Sequence, residues 1–146
     1  ITGSNADNGG EYINNQLKKL SKSKANIHFY QSLGTINYLN ILKYTSFVIG
    51  NSSSSIVELP SYGVFAINIG NRQKGRLQST NIINVGYSSS SILMGINKIN
   101  QIRKKFKFKN PYFKKNSSKI IIKFLINKLQ NLTIQKILKK KFNERK

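Results

Sequence analysis

Five residues have types and spacing that could do chemistry: Ser52, Ser53, Glu58, Arg72 and Arg76. All lie within GNSSSSIVELPSYGVFAINIGNRQKGR at 50–76. The stretch reads as strand, polar loop, short helix, strand, basic loop. A helix start exposes unpaired backbone N–H groups and a partial positive charge. Serine hydroxyls there add donors, so Asn51 to Ser54 could hold a phosphate or a carboxylate. Plain helix capping needs only one serine and is worth about 1 kcal/mol; four serines and an asparagine exceed it. Glu58 is one of four acids in the chain. Either the helix dipole favours it there, or it accepts two hydroxyls of a ribose. Arg72, Lys74 and Arg76 follow the next strand. Two guanidiniums close to the serines would clamp a diphosphate in bidentate fashion; a solvated basic loop is the plainer alternative.

Positioning these groups requires a sheet. Residues 10–24 place Tyr12, Ile13, Gln16, Leu17 and Leu20 at helical spacing. NIHFY at 26–30 reads as a strand, 35–44 as a helix and SFVIG at 46–50 as a strand. A helix follows over 54–62, kinked or ended near Leu59 because Pro60 lacks an N–H. VFAINI at 64–69 and NIINVG at 81–86 read as strands, and 89–104 as a helix with an uncertain start in the run Ser88–Ser91. Short, continuous apolar strands alternating with helices predict an α/β fold: a Rossmann-like parallel sheet with helices on both faces. Ligands of such sheets bind beyond the C-terminal strand ends, here the loops 3–10, 30–34, 50–55 and 70–80. The expected division is a domain over 1–104, then a basic linker and C-terminal helices over 105–146. FKFKNPYFKK at 106–115 reads as a solvated connector broken by Pro111, and 117–142 as two helical segments.

Composition narrows the function classes. The chain carries 25 Lys+Arg against 4 Asp+Glu, a formal charge of +21. Nucleic acid is nevertheless disfavoured as a partner. Asn, Ile and Lys are abundant throughout, 17 of the 25 basic residues fall in 98–146, and no aromatic–basic reading motif is present. The absence of cysteine excludes disulfides, zinc fingers and thiol catalysis. No apolar run reaches the roughly 18 residues of a membrane helix, so a cytoplasmic protein without membrane partners is expected. The chain starts at Ile1 rather than Met, and upstream sequence is expected.

Several motifs are missing: GxxxxGK[ST], GxGxxG and GxSxG. The lone histidine, His28, falls in an expected strand, where a packing role is favoured. Asp7 and Glu58 form at most a weak acid–base pair. No metal ligand set or cofactor is indicated.

VIGNSSSSIVELPSYGVFAINIGNRQKGR at 48–76 resembles the hydrolysing UDP-N-acetylglucosamine 2-epimerases. SNADNGG at 4–10 resembles that family's N-x-D-x-G-G loop, and SLGTINYLNILKYTSFVIGNSS at 32–53 its next helix and strand. The likeness runs in order from residue 1 to about 86. Two departures are Ser55, where the family has Gly, and Phe65, where Pro is usual. The resemblance implies the C-terminal, nucleotide-binding half of a GT-B arrangement, incomplete at its N-terminus. It implies that Ser52 and Ser53 bind the diphosphate, Glu58 the ribose hydroxyls, and Arg72 the diphosphate with Arg76 nearby. Asn5 would contact the nucleotide from the first loop, and Phe29 to Leu33 would precede a loop near the base. The implied substrate is UDP-GlcNAc or a related UDP-sugar, in synthesis of sialic-acid-type sugars. The catalytic acids would come from the missing N-terminal domain, so none is assigned, and this chain alone is expected to be inactive. A homo-oligomer is compatible with this. The alternatives are a GT-B glycosyltransferase on the same UDP site and, from another class, a basic nucleic-acid-binding module.

Overall fold

The computed structural model describes residues 1–4 and 8–130. The chain forms two compact units, Ile1–Pro111 and Tyr112–Lys146. In the first unit, α1 spans Gly10–Ser23, α2 Gly34–Leu42, α3 Ser54–Val57, α4 Leu59–Tyr62 and α5 Ser89–Ile102. The strands are β1 Phe47–Gly50, β2 Phe65–Ile69 and β3 Ile82–Val85. They form one parallel sheet in the order β1-β2-β3, with Phe47 opposite Phe65 and Ala66 opposite Ile82. The Rossmann-like α/β class is as the sequence pattern requires.

Both faces of the sheet are covered. On one, Leu42 of α2, Leu59 of α4, Val64 and Ala66 form a buried cluster, extended by Tyr38, Leu39, Val48 and Ile82. On the other, Phe65, Ile67 and Ile99 of α5 are buried together, with Phe47, Ile83 and Val85 beside them. Consecutive residues of β2 thus serve opposite cores, which is why Phe65 through Asn68 are all buried. Each fully buried aliphatic side chain of this kind is worth about 2 kcal/mol. Helix α5 approaches closely at Gly95, where an added Cβ would lie 3.0 Å from Val85 Cγ1 and 3.5 Å from Ile67 Cγ2. Its start is settled by Ser88, whose side chain accepts from the Ser91 amide at 3.2 Å.

Two local expectations change, and the break expected near Leu59 falls at Glu58. Residues 26–30 do not form a strand; Tyr30 makes a single parallel bridge to Thr2, and the His28 carbonyl accepts from the Ile1 amine at 2.7 Å. Among the described residues the others have no ladder partner, and an extended segment without one is not a strand. His28 is accordingly exposed rather than packed. The helix over 54–62 is two single turns, broken at Glu58. Pro60, in the first turn of α4, cannot donate back across that junction. Gly63, at φ 69, ends α4 in the left-handed conformation and lets the Val64 amide return to the Leu59 carbonyl at 3.1 Å.

Residues 106–108 are not merely a solvated connector. Phe106 and Phe108 pack on Phe65, with ring centroids 4.6 and 5.0 Å away and 4.7 Å from each other. The alternation Phe-Lys-Phe-Lys turns the rings inward and leaves the lysines exposed. In the second unit, α6 spans Ser117–Gln130, and its apolar side chains, among them Ile121 and Phe124, are exposed. The second helical segment, expected around Ile134, Ile137 and Leu138, lies outside the described residues. Among the described residues, no helix is long and apolar enough to cross a membrane.

Candidate functional site

The site is built at the C-terminal ends of β1 and β2. Strand β1 ends at Gly50, and Asn51 to Ser53 turn into α3. The Ser52 side chain accepts from the Ser54 amide at 3.3 Å, while the Ser52 carbonyl takes the Ser55 amide at 3.2 Å. Ser52 therefore does part of the capping. The amides of Ile56 and Val57 both bond the Ser53 carbonyl, at 3.0 and 3.1 Å. Both Ser52 and Ser53 are exposed. Since α3 has only four residues, it lacks the stacked peptides that give a long helix its dipole. Any anion held here depends on local hydroxyls, amides and an added cation.

That cation comes from the loop after β2. Arg72 donates from Nη1 to the Asn51 carbonyl at 3.2 Å, and Gln73 donates from Nε2 to the same oxygen at 2.7 Å. The two bonds fold the basic loop over the serine turn. Gln73 is buried, and its Oε1 has no partner among the described residues. Arg72 is exposed, and the residue it bonds, Asn51, directly precedes Ser52 and Ser53. Ser52, Ser53 and Arg72 are thus brought together.

Glu58 lies at the break between α3 and α4, partly buried. Tyr38 reaches across from α2, and its hydroxyl and Ser54 Oγ are 2.5 Å apart. Burial raises the Tyr38 phenol pKa above its ordinary value; the Ser54 bond opposes this and the charge of Glu58 adds to it. Asn110 holds the break from below, donating to the Val57 carbonyl at 2.8 Å and to Ser61 Oγ at 2.7 Å. Ser55 is buried, with its amide on the Ser52 carbonyl. Arg76 does not join the serine turn. It lines a separate pocket with Lys74, Asn84 and neighbours. Asn5 lies outside the described residues, as does Asp7.

Tyr38, Gln73 and Asn110 were not among the expected site residues. Their partners are 16, 22 and 53 residues away in sequence, so no local spacing announces them. The weak signal for Tyr38 was its helical phase with Leu42, which marks the sheet-facing side of α2.

Tyr38→Phe should lower the unfolding free energy by about 1 kcal/mol at neutral pH, the worth of one hydrogen bond. The raised phenol pKa means that the folded chain holds this proton more tightly than the unfolded chain does. Its contribution is therefore complete below about pH 10, the ordinary tyrosine value, and is lost as pH rises further. Urea midpoints at pH 8 and above pH 10 should show a shallower alkaline decline in Tyr38→Phe than in the parent.

A parallel sheet covered by helices on both faces defines an α/β protein of the Rossmann-like class. The chain belongs to the UDP-N-acetylglucosamine 2-epimerase family, which it matches over residues 1–126. It is 40% identical to the polysialic acid biosynthesis protein P7 of Escherichia coli over 119 residues, 79% of this chain and 30% of that protein. It is 43% identical to the hydrolysing GDP/UDP-N,N'-diacetylbacillosamine 2-epimerase of Campylobacter jejuni over 84 residues, 57% of this chain and 22% of that protein. Identity to the UDP-N-acetylglucosamine 2-epimerase of Neisseria meningitidis is 36% over 92 residues, 63% of this chain and 24% of that protein. The chain thus spans 22 to 30% of the length of these curated relatives.

Proposed function

We propose that this chain is the UDP-binding portion of a hydrolysing UDP-sugar 2-epimerase, the C-terminal part of a GT-B pair of domains. One observation carries the reading: Arg72 and Gln73 share the Asn51 carbonyl and so hold a guanidinium over the serine turn. In this reading Ser52 and Ser53 donate to the diphosphate and Arg72 neutralises it. Glu58 accepts from the ribose hydroxyls, and Asn5 adds a contact from the first loop. These groups bind the leaving group, so they stabilise UDP as the bond to C1 of the sugar breaks.

The overall reaction consumes water. Removal of the C2 proton and departure of UDP from C1 give an unsaturated sugar. Water then adds its oxygen at C1, and a proton returns to C2 on the opposite face, giving N-acetylmannosamine from UDP-GlcNAc. The proton transfers need an acid and a base. Of the four acids, only Glu11 and Glu58 fall among the described residues, one on α1 and one at the ribose position. The resemblance to the family assigns the catalytic acids to a domain outside this chain. The names of the relatives support polysialic and bacillosamine-type sugars as the pathway class.

Incubation of the full-length protein with UDP-GlcNAc should release free N-acetylmannosamine and UDP in equal amounts. The 146-residue chain alone should give neither. A sugar transferred to an acceptor would instead mark a GT-B glycosyltransferase, and turnover by the isolated chain would refute the placement of the acids.

A further inference from the structure

A concavity of about 380 Å³ opens beyond the C-terminal ends of β2 and β3, lined by Asn68, Asn71, Lys74, Arg76, Gln78 and Asn84 with two glycines. Ser52, Ser53, Glu58 and Arg72 do not line it. The loop after β2 separates the two places. Arg72 and Gln73 turn towards Asn51. The Lys74 amide then closes a turn onto the Asn71 carbonyl at 2.9 Å, and Lys74 and Arg76 line the concavity.

A relay of amides fixes one wall. Asn68 Nδ2 donates to Asn84 Oδ1 at 2.8 Å, Asn84 Nδ2 to Gln78 Oε1 at 2.9 Å, and Gln78 Nε2 to the Gln73 carbonyl at 3.4 Å. Asn71 Oδ1 accepts from the Tyr87 hydroxyl at 3.4 Å. The relay therefore occupies Asn84 Oδ1 and Gln78 Oε1 and leaves N–H groups over. The unpaired acceptor, Asn68 Oδ1, is sealed from solvent. Two cations, spare amide donors and no carboxylate line the pocket. The basic tail does not explain this. Residues 1–97 hold 8 Lys+Arg, and three of them lie within 72–76.

We propose that this pocket is a second anion site, separate from the serine turn. It takes a small molecule bearing a terminal oxyanion, a phosphate monoester or a carboxylate. Lys74 and Arg76 pair with the oxyanion and Asn71 donates to it. The proposal stands independently of the UDP assignment.

Glycerol 3-phosphate and glycerate serve as test ligands, titrated calorimetrically into the full chain with and without saturating UDP. At least one should bind saturably. Lys74→Gln, at an exposed position, should weaken that binding about tenfold, as loss of one charge-assisted contact does, and UDP should not displace the ligand. Binding of the phosphate ester alone would assign the site to phosphates, and binding of both would extend it to carboxylates. Three results would overturn the proposal: no saturable binding of either ligand, equal binding by Lys74→Gln, or displacement by UDP mole for mole. Failure of the chain to bind UDP bears only on the serine turn and leaves the ligand titration and its Lys74→Gln comparison as the readouts.

Discussion

Ile67→Ala is expected to lower the unfolding free energy by about 3 kcal/mol, within the usual range for deleting a large buried aliphatic side chain. Ile67 is the middle residue of the middle strand and has no exposed surface. It packs with Phe65 and Ile99 under α5. The loss has two parts, the transfer of the deleted methylenes and the cavity they leave. Relaxation cannot close that cavity easily. Helix α5 already approaches as near as it can at Gly95, where a single added carbon would crowd Val85 at 3.0 Å. Phe65 is held by its two aromatic neighbours, Phe106 and Phe108. Small domains are stable by only about 5–15 kcal/mol, so the variant should remain folded but weakened. Urea titration should show a lower midpoint with an unchanged slope. A fall below about 1 kcal/mol would mean that the sheet core is looser than described.

Arg72→Ala should weaken UDP binding about 10- to 100-fold while leaving stability nearly intact, if the serine turn holds the diphosphate as proposed. A charge-assisted hydrogen bond contributes about 1.5–3 kcal/mol, which is that range of affinity. Arg72 is exposed, and its recorded bond within the fold is to the Asn51 carbonyl at 3.2 Å. Gln73 keeps that carbonyl at 2.7 Å, so the loop should hold its place in the variant. Arg72→Lys should recover only part of the loss. One ammonium cannot both bond Asn51 and present a planar fork to phosphate oxygens. Calorimetric titration with UDP, beside a thermal melt, separates the affinity effect from any folding effect.

The sheet was legible because its strands are short, apolar and bounded by helices, a pattern that fixes the parallel class before any contact is known. The positions of Ser52, Ser53 and Arg72 on one sheet edge followed from that class. What the sequence hid was non-local. Nothing in the spacing of Gln73 marks it as the residue that ties the basic loop to Asn51, 22 residues away. Tyr38 and Ser54 are likewise joined only through the packing of α2 against the sheet. Charge was misleading twice. The lysines of 106–109 masked an alternation whose phenylalanines complete a core. The three cations of 72–76 read as one cluster, although Arg72 bonds Asn51 while Lys74 and Arg76 line the concavity. The helix dipole was overestimated because the break at Glu58 reduces the helix to one turn.

The most direct test of the central claim is a UDP titration of the 146-residue chain, with uridine as the control lacking phosphates. Saturable one-to-one binding of UDP is predicted, with uridine bound far more weakly and Arg72→Ala falling between them. A chain shown by its melt to be folded that binds no UDP, or binds uridine equally well, would contradict the account.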